Sequence, residues 1–126
     1  MYQKLTAVGN LGKDPEMKFL PSGQPITNFS IAVNRRYTKS DGEKVDETVW
    51  MRVSTFGKLA ETCNQYLQKG KLVLVEGRLT ADPDTGGPRI WQDSSGNSRA
   101  SFEISAVTVQ FLSGAGDDAS EDQDPF

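Results

Sequence analysis

Thr48-Val49-Trp50-Met51-Arg52-Val53-Ser54-Thr55-Phe56, followed without a break by the segment Gly57 to Gly70 and then by Leu72-Val73-Leu74-Val75, is the stretch on which the fold turns. Its first part alternates with a period of two. Val49, Met51, Val53 and Thr55 share one face, and Thr48, Trp50, Arg52, Ser54 and Phe56 share the other. The aliphatic set must face the core, because a one-residue slip would bury Arg52 and expose the valines. In the second part Leu59, Ala60, Cys63, Tyr66 and Leu67 recur at helical spacing, and Gly70 stands where a C′ glycine would end the helix. Leu72 to Val75 is apolar on both faces, as a central strand covered on each side requires. The centre of the chain therefore reads strand, helix, strand.

Working outward, Ile26 to Arg36 alternates with Phe29, Ile31 and Val33 on one face, and the polar loop Thr38 to Lys44 joins it to a partner strand beginning near Val45. Tyr2 to Val8 is a short strand stopped by Gly9-Asn10, Leu11 to Glu16 reads as loop, and Pro21-Ser22-Gly23-Gln24 as a turn. Beyond Leu79, Asp82 to Pro88 is a loop rich in breakers. Arg89 to Gln92 and Arg99 to Phe111 then form a last hairpin around Asp93-Ser94-Ser95-Gly96-Asn97. In its final strand Phe102, Ile104 and Ala106 are apolar at even positions, but Val107, Val109 and Phe111 at odd ones. That change of phase predicts a bulge, the device that turns a barrel corner. Five strands with one helix between the third and fourth is the all-β, Greek-key order of the oligonucleotide-binding barrel.

The length of 126 residues fits one domain, with an apolar fraction of 36% that rises once the 12 glycines are added. No apolar run approaches the roughly 18 residues of a spanning helix, and the N-terminus lacks a signal-peptide core. A protein that stays where it is made, away from membranes, is expected. The chain has no histidine and a single cysteine, Cys63. Histidine-based triads, a disulfide framework and a multi-cysteine zinc site are thereby excluded, so neither an enzyme nor a cofactor is expected. On the apolar helix face Cys63 reads as an inert thiol.

The net charge of −3 is unevenly spread. Five of the 17 acids and none of the 14 bases lie in residues 113–126, so residues 1–112 hold 12 acids against 14 bases, a net +2. The segment 113–126 has a Gly/Ser entry, acids and no aliphatic residue, and reads as a disordered tail appended to a domain over residues 1–112. It ends in Pro125-Phe126, an aromatic side chain with a free carboxylate that a basic pocket on a partner could grip. A tail that merely confers solubility fits the same composition.

Outward aromatics carry the functional reading. Trp50 and Phe56 flank Arg52 on the face turned from the core, Arg35-Arg36-Tyr37 ends the second strand with Lys39 just beyond, and Arg89-Ile90-Trp91 sets a second tryptophan beside a base. Flat faces for unpaired bases, interleaved with cations for phosphates, are what single-stranded nucleic acid needs. One outward tryptophan on a strand is more often packing against a helix or a subunit neighbour than a ligand site; three such clusters in one small barrel point to nucleic acid.

Val8-Gly9-Asn10-Leu11-Gly12-Lys13-Asp14-Pro15-Glu16, Thr48 to Val53, Phe56-Gly57-Lys58-Leu59-Ala60-Glu61, Tyr66-Leu67-Gln68-Lys69-Gly70 and Val75-Glu76-Gly77-Arg78-Leu79, in that order, closely resemble the bacterial single-stranded DNA-binding protein family. The resemblance spans residues 1 to about 112 and includes the terminal Pro125-Phe126. It implies a cytoplasmic, nucleoid-associated homotetramer that coats single-stranded DNA without sequence preference. A primosome accessory or an RNA-binding protein on the same barrel is the alternative. By position, the family's stacking aromatics fall on Tyr37, Trp50, Phe56 and Trp91, and its basic contacts on Arg35, Arg36, Lys39, Arg52, Lys58, Lys69, Arg78 and Arg89. The resemblance further implies that Asp122, Asp124, Pro125 and Phe126 recruit replication, recombination and repair proteins. The chain departs from the family pattern in its short linker, in Asp124 before Pro125, and in an extended Asp82–Pro88 loop.

Overall fold

The alternating residues of the two central strands pair as their pattern demands. In the computed structural model, which describes residues 1–112, β3 (Pro25–Thr38) and β4 (Lys44–Phe56) form one long antiparallel hairpin, in register from Ile26 opposite Phe56 to Thr38 opposite Lys44. Val53 and Thr55 are completely buried while Trp50 and Arg52 are exposed, so the expected facing of β4 holds.

Around this hairpin the sheet closes on itself. β1 (Leu5–Leu11) pairs antiparallel with β5 (Leu72–Leu79) and, through Asn10 and Leu11, with β3. β5 pairs antiparallel with β7 (Ser98–Phe111), and β7 runs parallel to β4, with Met51 to Ser54 beside Phe102 to Ser105. The circuit β1-β5-β7-β4-β3-β1 is a barrel without a free edge. α1 (Gly57–Tyr66) lies between its third and fourth strands, as the sequence order predicts for an oligonucleotide-binding barrel.

Two short strands stand outside the circuit. β6 (Arg89–Gln92) forms the expected hairpin with β7. β2 (Glu16–Phe19) was not expected; it pairs with Pro25 to Asn28 of β3, starting at the end of a presumed loop. Glu16-Met17-Lys18-Phe19 alternates polar and apolar, but over only two periods between Pro15 and Pro21, and its register is set by the turn at Leu20 to Gln24.

The core is built from Leu11, Phe29, Ile31, Val53, Cys63, Leu67, Val73, Val75 and Ile104. A buried threonine ties α1 to the sheet, the Thr27 hydroxyl donating to the Ala60 carbonyl at 2.7 Å, and a second, Thr55, donates to the Thr27 carbonyl at 2.9 Å across the β3–β4 hairpin. Burial pushes the Cys63 thiol up to about 11, with the neighbouring Thr55 side chain working the other way. The helix is shorter than its pattern. It stops at Tyr66, where Leu67 turns extended with its N–H on the Cys63 carbonyl and drops its side chain into the core. Gly70 is thus a turn residue rather than a cap; at φ 91° it lets its N–H reach the Leu11 carbonyl.

The phase change in β7 is a bulge. Glu76 lies opposite Thr108 but Gly77 opposite Ala106, which leaves Val107 unpaired and exposed. Gly77 permits this close approach: a Cβ there would stand 2.1 Å from the Ser105 carbonyl oxygen. Among the described residues no helix is long and apolar enough to cross a membrane.

Candidate nucleic-acid interface

Cross-strand partners point their side chains to the same side of a sheet, so the register maps the outer face. On β4 that face carries Thr48, Trp50, Arg52, Ser54 and Phe56. Arg52 lies opposite Glu103 of β7 and Ser54 opposite Ser105; Ser105 in turn lies opposite Arg78 of β5. Glu103 accepts from Arg89 Nε at 2.8 Å, and Ser101 Oγ from Trp91 Nε1 at 2.9 Å. Trp50, Phe56, Trp91, Arg52, Arg78 and Arg89 therefore belong to one continuous surface. The aromatic rings stay substantially uncovered, Trp50 at 55%, Phe56 at 39% and Trp91 at 38%.

Small and polar residues keep that surface open. Along β3, Asn28, Ser30, Ala32 and Asn34 lie opposite Ser54, Arg52, Trp50 and Thr48. Ser54 Oγ bonds Asn28 Oδ1 at 2.8 Å and Thr48 Oγ1 bonds Asn34 Oδ1 at 2.7 Å, which satisfies the polar groups without bulk. Beyond Ala32 the Trp50 indole reaches the loop after β1, where the space that a Gly12 Cβ would fill is 2.6 Å from Trp50 Cζ3 and 2.9 Å from Cη2. On the other flank Asp93 fixes the turn that presents Trp91. Its carboxylate accepts from Arg99 Nε at 2.9 Å and from the N–H groups of Ser95 and Asn97. The Arg99 guanidinium, then the Asn97 N–H, hold that carboxyl below the usual carboxylate range.

Other expected residues lie elsewhere. Arg35 and Tyr37 occupy the opposite face of the β3–β4 hairpin from Trp50, with the Arg35 guanidinium 4.4 Å from the Tyr37 ring centroid. Arg36 shares Trp50's face but near the hairpin tip, where it pairs with Asp46 at 3.2 Å. Arg35 pairs with Glu47 at 3.2 Å and Lys39 with Glu43 at 3.5 Å, so these cations arrive partly neutralised. Lys58 is exposed in the first turn of α1, two residues beyond Phe56. Lys69 is exposed after α1, its N–H bonded to Asp14 of the loop that holds Gly12. Asp122, Asp124, Pro125 and Phe126 lie outside the described residues.

One basic residue escaped the sequence reading. Lys18 of β2 lies opposite Ile26, which lies opposite Phe56, so it extends the outer face beyond Phe56. Recognising β2 as a strand would have found it. Among the described residues Lys18, Arg52, Lys58 and Arg78, on or beside this face, are outside every ion pair, as are Lys13, Lys44, Lys69 and Lys71 elsewhere.

Comparison with known proteins places the chain in a family. Residues 2–112 match the family model described as the single-strand binding protein family. The chain is 41% identical over 116 residues to a single-stranded DNA-binding protein of Wolinella succinogenes, covering 92% of this chain and 67% of that one. It is 38% identical over its whole length to the single-stranded DNA-binding protein of Helicobacter hepaticus, of which it spans 68%. The crystal structure of a small single-stranded DNA-binding protein from Streptomyces coelicolor superposes with a TM-score of 0.70 at 30% identity, covering 86% of this chain and 93% of that one. By the match over nearly all of its barrel, the chain belongs to the single-strand binding protein family.

Proposed function

We propose that the protein binds single-stranded DNA without sequence preference, laying bases on Trp50, Phe56 and Trp91 and phosphates along Arg52, Arg78, Lys18 and Lys58. The observation that carries this reading is the outer face itself: three uncovered aromatic rings share one surface with arginines that no core role explains. Every base has a π-face, so a stacking surface tolerates all sequences, and its spacing along the strands suits an extended chain rather than a duplex groove. Tyr37, Arg35, Arg36, Lys39 and Lys69 lie off the centre of this surface and would meet the strand only where it runs past the hairpin tip or the β1 loop.

The protein acts in this reading as a cytoplasmic homo-oligomer that protects exposed DNA strands. Its acidic segment 113–126, ending in Pro125-Phe126, suits capture by basic pockets on replication, recombination and repair proteins. Binding to equal lengths of oligo-dT, a mixed-sequence strand, the corresponding duplex and oligo-U tests the central reading. The two DNA single strands are expected to bind within a few-fold of each other and far above the duplex. Preference for the duplex, or for oligo-U over oligo-dT, would overturn it.

A further inference from the structure

We propose that Gly12 is a positioning residue for Trp50: by lacking a side chain it provides the seat on which the indole rests in its base-stacking pose. This rests on the reading of Trp50 as a stacking platform. The row is built by register. Asn10 of β1 and Trp50 of β4 both lie opposite Ala32 of β3, so the indole crosses β3 over the smallest side chain on that row and comes to the residue just beyond β1. There the Gly12 N–H holds the backbone to the Ser30 carbonyl at 3.1 Å, which fixes the floor beneath the ring. A Cβ at Gly12 would lie 2.6 Å from Cζ3, 2.9 Å from Cη2 and 3.8 Å from Cε3, all on the benzo half of the indole.

Only the ring stands in the way. Gly12 does not adopt the left-handed backbone that would itself demand glycine, in contrast to Gly23, Gly42, Gly57, Gly70, Gly86 and Gly96. Its virtual Cβ meets no backbone atom, whereas those of Gly9 and Gly77 run into carbonyls at 2.5 and 2.1 Å. Alanine at this position is therefore tolerated by the main chain and displaces the indole. The ring would have to lift or rotate away from the floor, and its free face would no longer line up with the row of Arg52 and Phe56.

The test uses the full chain with Trp91→Phe, so that emission reports on Trp50 alone. In that background Gly12→Ala is expected to shift the tryptophan emission of the free protein and to weaken oligo-dT binding roughly fivefold or more, a part of one stacking contact, with the melting temperature little changed. Combining Gly12→Ala with Trp50→Phe is the control: the smaller ring leaves the seat empty, so the added alanine should cost nothing further. If Gly12→Ala leaves emission and affinity unchanged while Trp50→Ala weakens binding, the positioning role is wrong and the stacking role stands. If Trp50→Ala itself leaves affinity unchanged, the stacking role fails. A penalty from Gly12→Ala that persists in full beside Trp50→Phe would assign glycine a role that does not act through the indole and would likewise overturn the proposal.

Discussion

At the scale of single residues, parity along β4 decides what each side chain does. Val53 is sealed in the core and Trp50, three residues earlier, is 55% exposed, although both are large and apolar. Trp50→Ala should accordingly leave thermal stability nearly intact and cost on the order of 1–3 kcal/mol in binding. That range was established on stacking surfaces in this class of barrel rather than derived from this structure. Val53→Ala should do the reverse, lowering stability by roughly 1–3 kcal/mol through lost burial and an unfilled space, read in denaturant titration. The same parity, carried forward from Val33, already sets Arg35 and Tyr37 on the face opposite Arg36 and Trp50. Resemblance by position matches residues in order and carries no information on which side they point to. Tyr37→Ala is therefore expected to weaken binding of a short oligonucleotide less than Trp50→Ala does, and equal losses would place both rings on one strand path. Cys63 provides a pH test. As an acid whose folded value is raised, from 9.0 to about 11, it contributes stability below pH 9 that is lost as pH climbs through 11. Native protein should resist thiol alkylation at pH 8 until denatured; rapid modification of the folded protein would contradict the burial.

Elements were legible where they had length or a break in pattern. The thirteen residues of β4 fix its facing, and the change of phase at Val107 marks the bulge in the sequence itself. β2 alternates polar and apolar over only two periods between Pro15 and Pro21, the shortest run on which a strand can be read, and Lys18 of the outer face lies within it. The helix was overextended for a different reason. Leu67 continues the helical spacing of its apolar neighbours, yet it reaches the core by leaving the helix, a tertiary preference that periodicity does not contain. The bulge makes its own prediction. Gly77→Ala would thrust a Cβ to within 2.1 Å of the Ser105 carbonyl, a backbone atom that cannot swing aside. A loss of stability of about 1 kcal/mol or more is expected, alongside a smaller loss for Gly12→Ala, where the obstacle is a side chain. A Gly77→Ala protein as stable as the parent would mean that the β5–β7 junction can open without cost.

For the whole molecule, the net charge of −3 conceals an arrangement of opposite sense. Residues 1–112 carry a slight positive excess, and Arg35, Arg36, Lys39 and Arg89 are already engaged by carboxylates. Of the eight cations outside every ion pair among the described residues, only Lys18, Arg52, Lys58 and Arg78 lie on or beside the aromatic face. Binding should consequently lean on stacking, and log K against log salt should fall with a slope of only about −3, the value for roughly four phosphates on a single strand. A far steeper slope would move the account from stacking to charge. Removing residues 113–126 takes five acids from a chain whose residues 1–112 are net positive, so oligo-dT affinity at low salt should rise; unchanged affinity would mean that these acids do not compete with phosphates. Most direct of all is a titration of the intact protein with oligo-dT at low salt, followed by intrinsic tryptophan emission. The account predicts saturable quenching as bases cover Trp50 and Trp91, reduced by Trp50→Phe; emission unchanged by the oligonucleotide, with the protein still unbound, would contradict it.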